Sequence, residues 1–202
     1  MVITNFYKNL LLRLLTIVFL GPVFFELLYN SNFAVYTFSF ILIYFILIQR
    51  EWYNMTKDRE MGMIIFSIPF VSLLMIRLLD RIYPCLYFLS IWSADAFAMI
   101  GGTVLQGPKL TLISPNKTWS GVFSGMIGCF LVLYAFLPIF TCIQYSIILS
   151  LAGQVGDIYM SYYKRRSGIL ETGNMLPGHG GLIDRFDSTI FSAPLFWFLI
   201  QN

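Results

Sequence analysis

The residues best suited to chemistry are three aspartates in the last quarter of the chain, each close to glycines. Asp157 follows residues 153–156 (GQVG) near the end of an apolar run, where a carboxylate is costly unless it is paired or coordinates a ligand. Asp184 and Asp187 follow the glycine-rich stretch 176–181, and their i, i+3 spacing places them on one face of a helix starting there. Carboxylate oxygens are hard ligands suited to Mg²⁺. The sequence therefore predicts that all three aspartates are metal ligands.

Positively charged and hydroxyl side chains accompany these acids and could bind phosphate. Arginine grips phosphate oxygens with a planar fork, and lysine acts as a point charge. The serines lack an evident histidine–carboxylate partnership, so we expect them to donate hydrogen bonds rather than act as nucleophiles. The only histidine lies in the glycine-rich turn, where a structural or phosphate-contacting role is favoured over general-base work. The predicted catalytic residues are Asp157, Lys164 and Asp184. The predicted substrate-binding residues are Ser114, Lys117, Ser161, Arg165, His179 and Arg185.

A metal–polyphosphate site is the interpretation that uses all these groups, but simpler alternatives remain open. Asp157 could form an ion pair with a neighbouring arginine, and Asp184 and Asp187 could serve only to complement a helix N-terminus. Acids and bases in one cluster could also neutralise each other. Asp95, near the middle of another apolar run, is either internally paired or part of the lining of a polar cavity.

The elements that must position these residues are membrane-spanning helices. Of the 202 residues, 58% are hydrophobic and only 11% are charged, with a mean hydropathy of +0.76, whereas soluble domains carry about 25% charged residues. The basic residues are dispersed, which excludes the concentrated basic face of a nucleic-acid-binding protein. The three cysteines have no CxxC spacing, so we expect small buried side chains rather than a zinc site or a disulfide framework.

Apolar runs predict an all-α polytopic membrane protein with about seven spans and a polar cavity facing the cytosol, since each span needs ~20 residues. Tight connections are expected near Ser31 and Thr141. We interpret residues 1–82 as N-terminal transmembrane hairpins and 83–202 as the catalytic region of one integrated membrane domain. The predicted spans are 9–29, 33–49, 62–79, 83–104, 120–140, 142–160 and 187–201.

The charge distribution predicts which side the polar loops face. With seven spans, eleven lysines and arginines fall on the side of the N-terminus and only Arg77 and Arg81 on the other. This excess marks the first side as cytosolic. The two unusual polar loops, around 114–121 and 164–187, both lie on that side, so the active site is expected in the cytosol, where nucleotides and magnesium are found.

These residues resemble the phosphatidate cytidylyltransferase (CDP-diacylglycerol synthase) family over roughly residues 92–194. Residues 153–157 match its G-Q-x-G-D element, and residues 114–121 are similar to its S-P-x-K-T-x-E-G element. Trp92 and Asp95 fit a further W-x-x-D element. The long C-terminal signature is filled in register by Ser161, Lys164, Arg165, Gly173, Leu176, Pro177, Gly178, His179, Gly180, Gly181, Asp184, Arg185 and Asp187.

The resemblance implies an Mg²⁺-dependent nucleotidyltransferase that joins CTP to phosphatidate in the bacterial inner membrane, and it suggests a homodimer. Two positions depart from the family pattern. Leu170 and Glu171 replace a Lys-Asp pair, and Ser120 replaces a glutamate. The lost lysine puts the rate or the substrate in question unless Arg166 compensates. Transport or binding of an anionic lipid through the same cluster, and cytidylyl transfer to another lipid phosphate, are the alternatives.

Overall fold

The computed structural model describes residues 18–173 and 180–201, and these form helices and loops without a β-strand. An isolated antiparallel bridge joins Lys109 to Thr118 across a polar loop. The helices are α1 (Val18–Tyr29), α2 (Phe33–Ile46), α3 (Tyr53–Thr56), α4 (Arg59–Leu79), α5 (Ile82–Val104), α6 (Trp119–Tyr134), α7 (Ile139–Arg166), α8 (Ile183–Phe186) and α9 (Thr189–Leu199). A π-helical turn, Leu47–Trp52, connects α2 to α3.

Side-chain caps fix where several of these helices begin. The Asp58 carboxylate accepts a hydrogen bond from the backbone N–H of Met61 at the start of α4. Thr118 does the same for Gly121 at the start of α6. Each cap satisfies a backbone donor that the helix itself leaves unpaired. Thr118 also ends the polar loop between α5 and α6, so the cap determines where that loop enters the bundle.

Small residues bring α5 and α6 into close contact. A Cβ placed on Gly128 would lie 2.7 Å from the backbone oxygen of Ser93, and one on Gly125 would lie 3.0 Å from that of Ala94. Small side chains at such crossings allow the backbones of membrane helices to approach each other. This packing sets the position of Asp95, one residue beyond Ala94, relative to the start of α6.

The outer surface carries many large apolar side chains, among them Phe38, Ile64 and Phe123. Within residues 18–173 and 180–201, four helical segments are long and apolar enough to cross a membrane: Phe33–Thr56, Arg59–Leu79, Ile82–Val104 and Ile139–Arg166. Val18–Tyr29 and Trp119–Tyr134 are shorter apolar helices. The predicted fold class, an all-α membrane protein, is therefore confirmed, whereas the number of spans and the division at residue 82 stay predictions.

One predicted connection lies elsewhere. The break expected near Thr141 falls at residues 135–138, and Thr141 is in the first turn of α7. Pro138 immediately precedes the helix and has no N–H to donate, so it stands naturally at a helix start. The three cysteines are free and buried, as expected.

Candidate active site

The predicted site residues come from three parts of the fold. The C-terminal half of α7 carries Asp157, Ser161, Lys164 and Arg165, while α8 and the residue after it carry Asp184, Arg185 and Asp187. The loop before α6 supplies Ser114 and Lys117. His179, the remaining predicted site residue, lies outside the described residues.

A cavity of about 260 Å³ lies between α5, α7 and the loop before α6. It brings together four of the polar residues discussed above: Asp95, Ser114, Lys117 and Asp157. Asp95 accepts a hydrogen bond of 3.5 Å from the Ser188 hydroxyl. Of the two interpretations of Asp95, the structure therefore supports a position in a cavity lining.

Asp157 is paired in this structure. Its Oδ2 lies 2.5 Å from Nζ of Lys117, and both side chains are about one-fifth exposed. The expected alternative of an ion pair is thus realised, although with a lysine from the distant loop rather than with an arginine. Because Lys117 is 40 residues away in sequence, this pair ties the polar loop to α7.

Asp187 lies against Asp157. The two carboxyl groups are hydrogen-bonded to each other. The backbone N–H of Ser188 donates to Asp187 Oδ1 at 2.8 Å. Two carboxyl groups this close share a proton or require a cation between them.

Asp184 is held by a second ion pair and by backbone donors. Its Oδ1 lies 2.8 Å from Nζ of Lys164, and the two side chains are 10% and 11% exposed. Its Oδ2 accepts hydrogen bonds from the N–H groups of Thr172 and Gly181. Burial alone would raise the pKa of Asp184, but Lys164 and these donors outweigh it, and the pKa lies below its ordinary value.

Among residues 18–173 and 180–201, no group of three or more His, Cys, Asp or Glu side chains is arranged to hold a metal ion. Mg²⁺ does not need such a cage, because it commonly takes one or two carboxylates and fills its shell with water and substrate phosphates. The Asp157–Asp187 pair supplies two hard oxygen ligands, so it fits Mg²⁺ bound together with a phosphate substrate once Lys117 has released Asp157. Asp184 would likewise have to release Lys164 before binding the ion, and the predicted metal roles of all three aspartates stay predictions.

A second cavity, of about 630 Å³ and widely open to the surface, lies beside the first. On one side it is lined by Tyr162, Arg165 and Arg166 from the end of α7. On the other side it is lined by the loop residues Leu112, Ile113 and Pro115. Ser114, Asn116 and Lys117 of the same loop line the first cavity. The loop therefore forms a wall shared by both cavities, with apolar groups and arginines on one side and the charged cluster on the other.

The other predicted site residues are placed less directly. Ser161 is buried on α7, one turn after Asp157. Arg185 is on the exposed side of α8 and close enough to Asp95 to interact with it electrostatically. Their substrate-binding roles stay predictions.

The departure at residues 170–171 leaves a carboxylate at the site. Leu170 is 75% exposed, whereas Glu171 reaches back to Gly180. A Cβ on Gly180 would lie 3.3 Å from Glu171 Oε2 and 3.1 Å from Asp184 Oδ2, and the φ of Gly180 is +80°. Glycine is favoured there by both the backbone conformation and the two carboxylates.

Sequence reasoning missed Glu51 and Thr172. Glu51 is only 3% exposed and accepts hydrogen bonds from the segment that carries Asp184. A single carboxylate at the end of the apolar run 33–49 was the available signal, since an ionisable group at membrane depth normally has a specific partner. Its position beside Arg50 makes it look like an ordinary loop charge.

Together, the fold and the site define a helical membrane protein with a charged cavity between its helices. The sequence profile of the Cytidylyltransferase family matches residues 61–202. A phosphatidate cytidylyltransferase of Rickettsia bellii (strain RML369-C) is 43% identical over 170 residues, which cover 74% of this chain and 73% of the relative. One from Rickettsia felis (strain ATCC VR-1525 / URRWXCal2) is 43% identical over 169 residues, covering 74% of each chain.

A more distant relative, a phosphatidate cytidylyltransferase of Staphylococcus haemolyticus (strain JCSC1435), is 41% identical over 125 residues. These cover 57% of this chain and 48% of the relative. The profile match includes both ion pairs, Lys117–Asp157 and Lys164–Asp184, and the Asp157–Asp187 contact. The chain belongs to the cytidylyltransferase family.

Proposed function

We propose that this protein transfers the cytidylyl group of CTP to phosphatidate, giving CDP-diacylglycerol and pyrophosphate. The observation that carries this proposal is the pair of adjoining cavities with a shared wall, one charged and one combining arginines with apolar side chains. We assign the nucleotide triphosphate to the first cavity, which Lys117 lines, and the lipid phosphate to the second, which the two arginines line. The names of the relatives supply the identities of the two substrates.

The reaction needs positioning and charge neutralisation more than covalent help from the protein. A phosphate oxygen of phosphatidate attacks the α-phosphorus of CTP, and the bond from that phosphorus to the β-phosphate bridging oxygen breaks. Both reactants are anions, so the repulsion between them and the charge on the departing pyrophosphate form much of the barrier. Fixed cations around the phosphates lower such a barrier because they require no reorganisation during the reaction.

The charged groups of this chain can be assigned to these tasks. Asp157 and Asp187 would hold Mg²⁺, which when bound supplies Lewis-acid charge to the phosphate oxygens. Lys117 faces the same cavity and is placed to contact the triphosphate. Lys164, kept in position by Asp184, adds a second cation, and Arg165 and Arg166 face the lipid phosphate.

The proposal includes an orientation and a location. The strong excess of basic residues on one set of loops favours a cytosolic site in the bacterial inner membrane, where CTP is available. The exposed apolar surface around the helices would let the acyl chains of phosphatidate stay in the bilayer during catalysis. In keeping with the family resemblance, the working form would be a homodimer.

The two arginines of the second cavity provide a test of where the lipid phosphate binds. Arg165→Gln and Arg166→Gln should each raise KM for phosphatidate about 10-fold, the usual worth of one charge-assisted hydrogen bond, while leaving KM for CTP unchanged. Steady-state kinetics in mixed micelles measure both constants. Arg59→Gln is the matched control, because Arg59 is an exposed arginine stacked on the Tyr53 ring. A rise in KM for CTP instead would place the nucleotide in this cavity.

Two glycines on α7 test whether the contact with the Asp187 segment matters. A Cβ on Gly156 would lie 2.3 Å from the backbone oxygen of Asp187, whereas one on Gly153 would meet Ser188 Cβ at an ordinary 3.5 Å. Gly156→Ala must therefore push Asp157 and Asp187 apart, and we expect turnover to fall about 10²-fold. Gly153→Ala should keep near-normal turnover. Equal activities of the two variants would contradict this account of the carboxylate pair.

The proposed function itself is tested with purified protein in detergent, Mg²⁺, CTP and phosphatidate. Pyrophosphate release should require both substrates and should equal the CDP-diacylglycerol formed. A transporter or lipid-binding protein using the same anion site would release no pyrophosphate, which would overturn the proposal. Replacing phosphatidate by a polyprenyl phosphate distinguishes the other enzymatic alternative, since activity only with that lipid would change the substrate.

A further inference from the structure

Glu51 occupies an unusual place in the fold. It lies in the π-helical turn Leu47–Trp52 and is 3% exposed. A π-helical turn holds an extra residue, which changes the direction of the side chains that follow, and such turns recur at functional sites. The residue also lies outside the segment 61–202 matched by the family profile.

The Glu51 carboxylate is fully engaged by the active-site loops. Its Oε1 accepts the backbone N–H of Leu182 at 2.7 Å, and its Oε2 accepts the N–H of Ile183 at 2.7 Å and the Thr172 hydroxyl at 3.0 Å. These donors come from both sides of the glycine-rich stretch. Among the described residues, the two ion pairs of the site do not involve Glu51. Its buried charge is therefore compensated by loop donors, which ties both ends of this stretch to the π-helical turn after α2.

The loops are also folded closely over this carboxylate. A Cβ on Gly181 would lie 2.7 Å from Glu51 Oε2, and one on Gly173 would lie 3.2 Å from Glu51 Oε1. A side chain at position 181 would overlap the carboxylate, and one at position 173 would crowd it. The two glycines and Glu51 thus form one packed unit.

Thr172 links Glu51 to Asp184. The Thr172 hydroxyl lies 3.0 Å from Glu51 Oε2 and 3.1 Å from Asp184 Oδ2. A hydroxyl has one proton to donate, so the two carboxylates share one donor. Asp184 in turn holds Lys164 at 2.8 Å. A continuous set of contacts therefore runs from the π-helical turn to a cation of the active site.

We propose that Glu51 is a positioning residue. It fixes Thr172 and the backbone of Leu182 and Ile183, and through them it holds the Asp184–Lys164 pair in the geometry used for cytidylyl transfer. The role in transfer rests on the proposed function, whereas the role in holding the segment does not. Glutamine at this position keeps the size of the side chain but turns one acceptor into a donor that faces a backbone N–H or the Thr172 hydroxyl.

The test combines kinetics with hydrogen exchange on the full-length protein in detergent. Glu51→Gln should lower kcat about 10²-fold, the usual cost of misplacing reacting groups by about 1 Å, with KM for phosphatidate changed less than 3-fold. Peptide-resolved hydrogen exchange should show at least 10-fold faster exchange at Leu182 and Ile183. Glu60→Gln is the matched control, since Glu60 is an exposed glutamate near the start of α4.

Thr172 variants keep the proposal testable should Glu51→Gln fail to fold. Thr172→Val removes the shared hydroxyl at nearly the same volume and should lower kcat, and Thr172→Ser, which keeps the hydroxyl, should restore it. Unchanged exchange at Leu182 and Ile183 in Glu51→Gln, or faster exchange with normal kcat, would overturn the positioning role. Wild-type protein without any transferase activity would contradict the proposed function alone, and the exchange comparison would still decide whether Glu51 holds the segment.

Discussion

Asp184→Asn should lose turnover by about 10³-fold or more, because it disturbs a fixed charge arrangement at the reacting phosphates. In the wild-type protein, Asp184 Oδ1 pairs with Lys164, and Oδ2 accepts from Thr172 and Gly181. Asparagine has one acceptor oxygen, so either Lys164 or the loop donors would face an NH₂ group. Lys164 is largely buried, and a buried cation without its partner is strongly unfavourable.

The measurement is label transfer from CTP to lipid, with the amount of membrane-inserted protein determined in parallel. Asp80→Asn is the control, because Asp80 Oδ1 accepts the backbone N–H of Ile82 far from the site, and the asparagine oxygen can accept the same bond. Normal insertion with lost turnover is the expected result. Near-normal turnover in Asp184→Asn would contradict the assignment of this aspartate to the active site.

The variant Asp184→Asn also has a predicted effect on stability at low pH. The pKa of Asp184 is depressed in the folded protein, so its ionised form stabilises the fold at neutral pH. That contribution is lost as the pH falls through the depressed pKa. Asp184→Asn should therefore have a lower thermal midpoint at neutral pH and a smaller further loss on acidification. An identical pH profile of both proteins would show that the ion pair does not stabilise the fold.

The second large effect is expected for Asp157→Asn. This change removes one of the two carboxylates proposed to hold Mg²⁺ and leaves Lys117 without its 2.5 Å partner. We expect turnover to fall about 10³-fold and the Mg²⁺ concentration for half-maximal activity to rise at least about 10-fold, because metal catalysis supplies several kcal/mol of charge stabilisation. A Mg²⁺ titration of pyrophosphate release measures both.

The variant Asp58→Asn is the matched control for this titration, since Asp58 caps α4 at Met61. Chelation of divalent ions should abolish wild-type activity, and added Mg²⁺ should restore it. Full activity after chelation would contradict the metal assignment. An unchanged Mg²⁺ requirement in Asp157→Asn would indicate that other residues bind the ion, with Asp184 the next candidate.

The fold class was predictable because hydropathy alone separates membrane helices from soluble ones. The site motifs were also predictable, since aspartates and cations near glycines are uncommon in apolar sequence. Which aspartate pairs with which lysine could not be predicted. The sequence groups Lys117 with the three aspartates but does not say which acid it meets. The Lys117–Asp157 pair depends on how the loop before α6 meets α7, and the Lys164–Asp184 pair on how α8 meets α7.

Glu51 illustrates the limit of sequence reasoning more clearly. Its partners, Thr172, Leu182 and Ile183, are more than 100 residues away in sequence, and two of the three contacts use backbone N–H groups that carry no sequence signal. The π-helical turn that aims the carboxylate is likewise a property of packing rather than of local propensity. The break between α6 and α7 was predicted a few residues too late, because apolar residues continue on both sides of Pro138.

The most direct test of the central claim follows the two ends of the CTP triphosphate in one reaction. Purified protein is given Mg²⁺, phosphatidate and CTP labelled on either the α- or the γ-phosphate. Cytidylyl transfer predicts that α-label enters the lipid fraction, that γ-label appears in water-soluble pyrophosphate, and that the two amounts are equal. γ-Label in the lipid, or CTP consumption without lipid label, would contradict the proposed reaction.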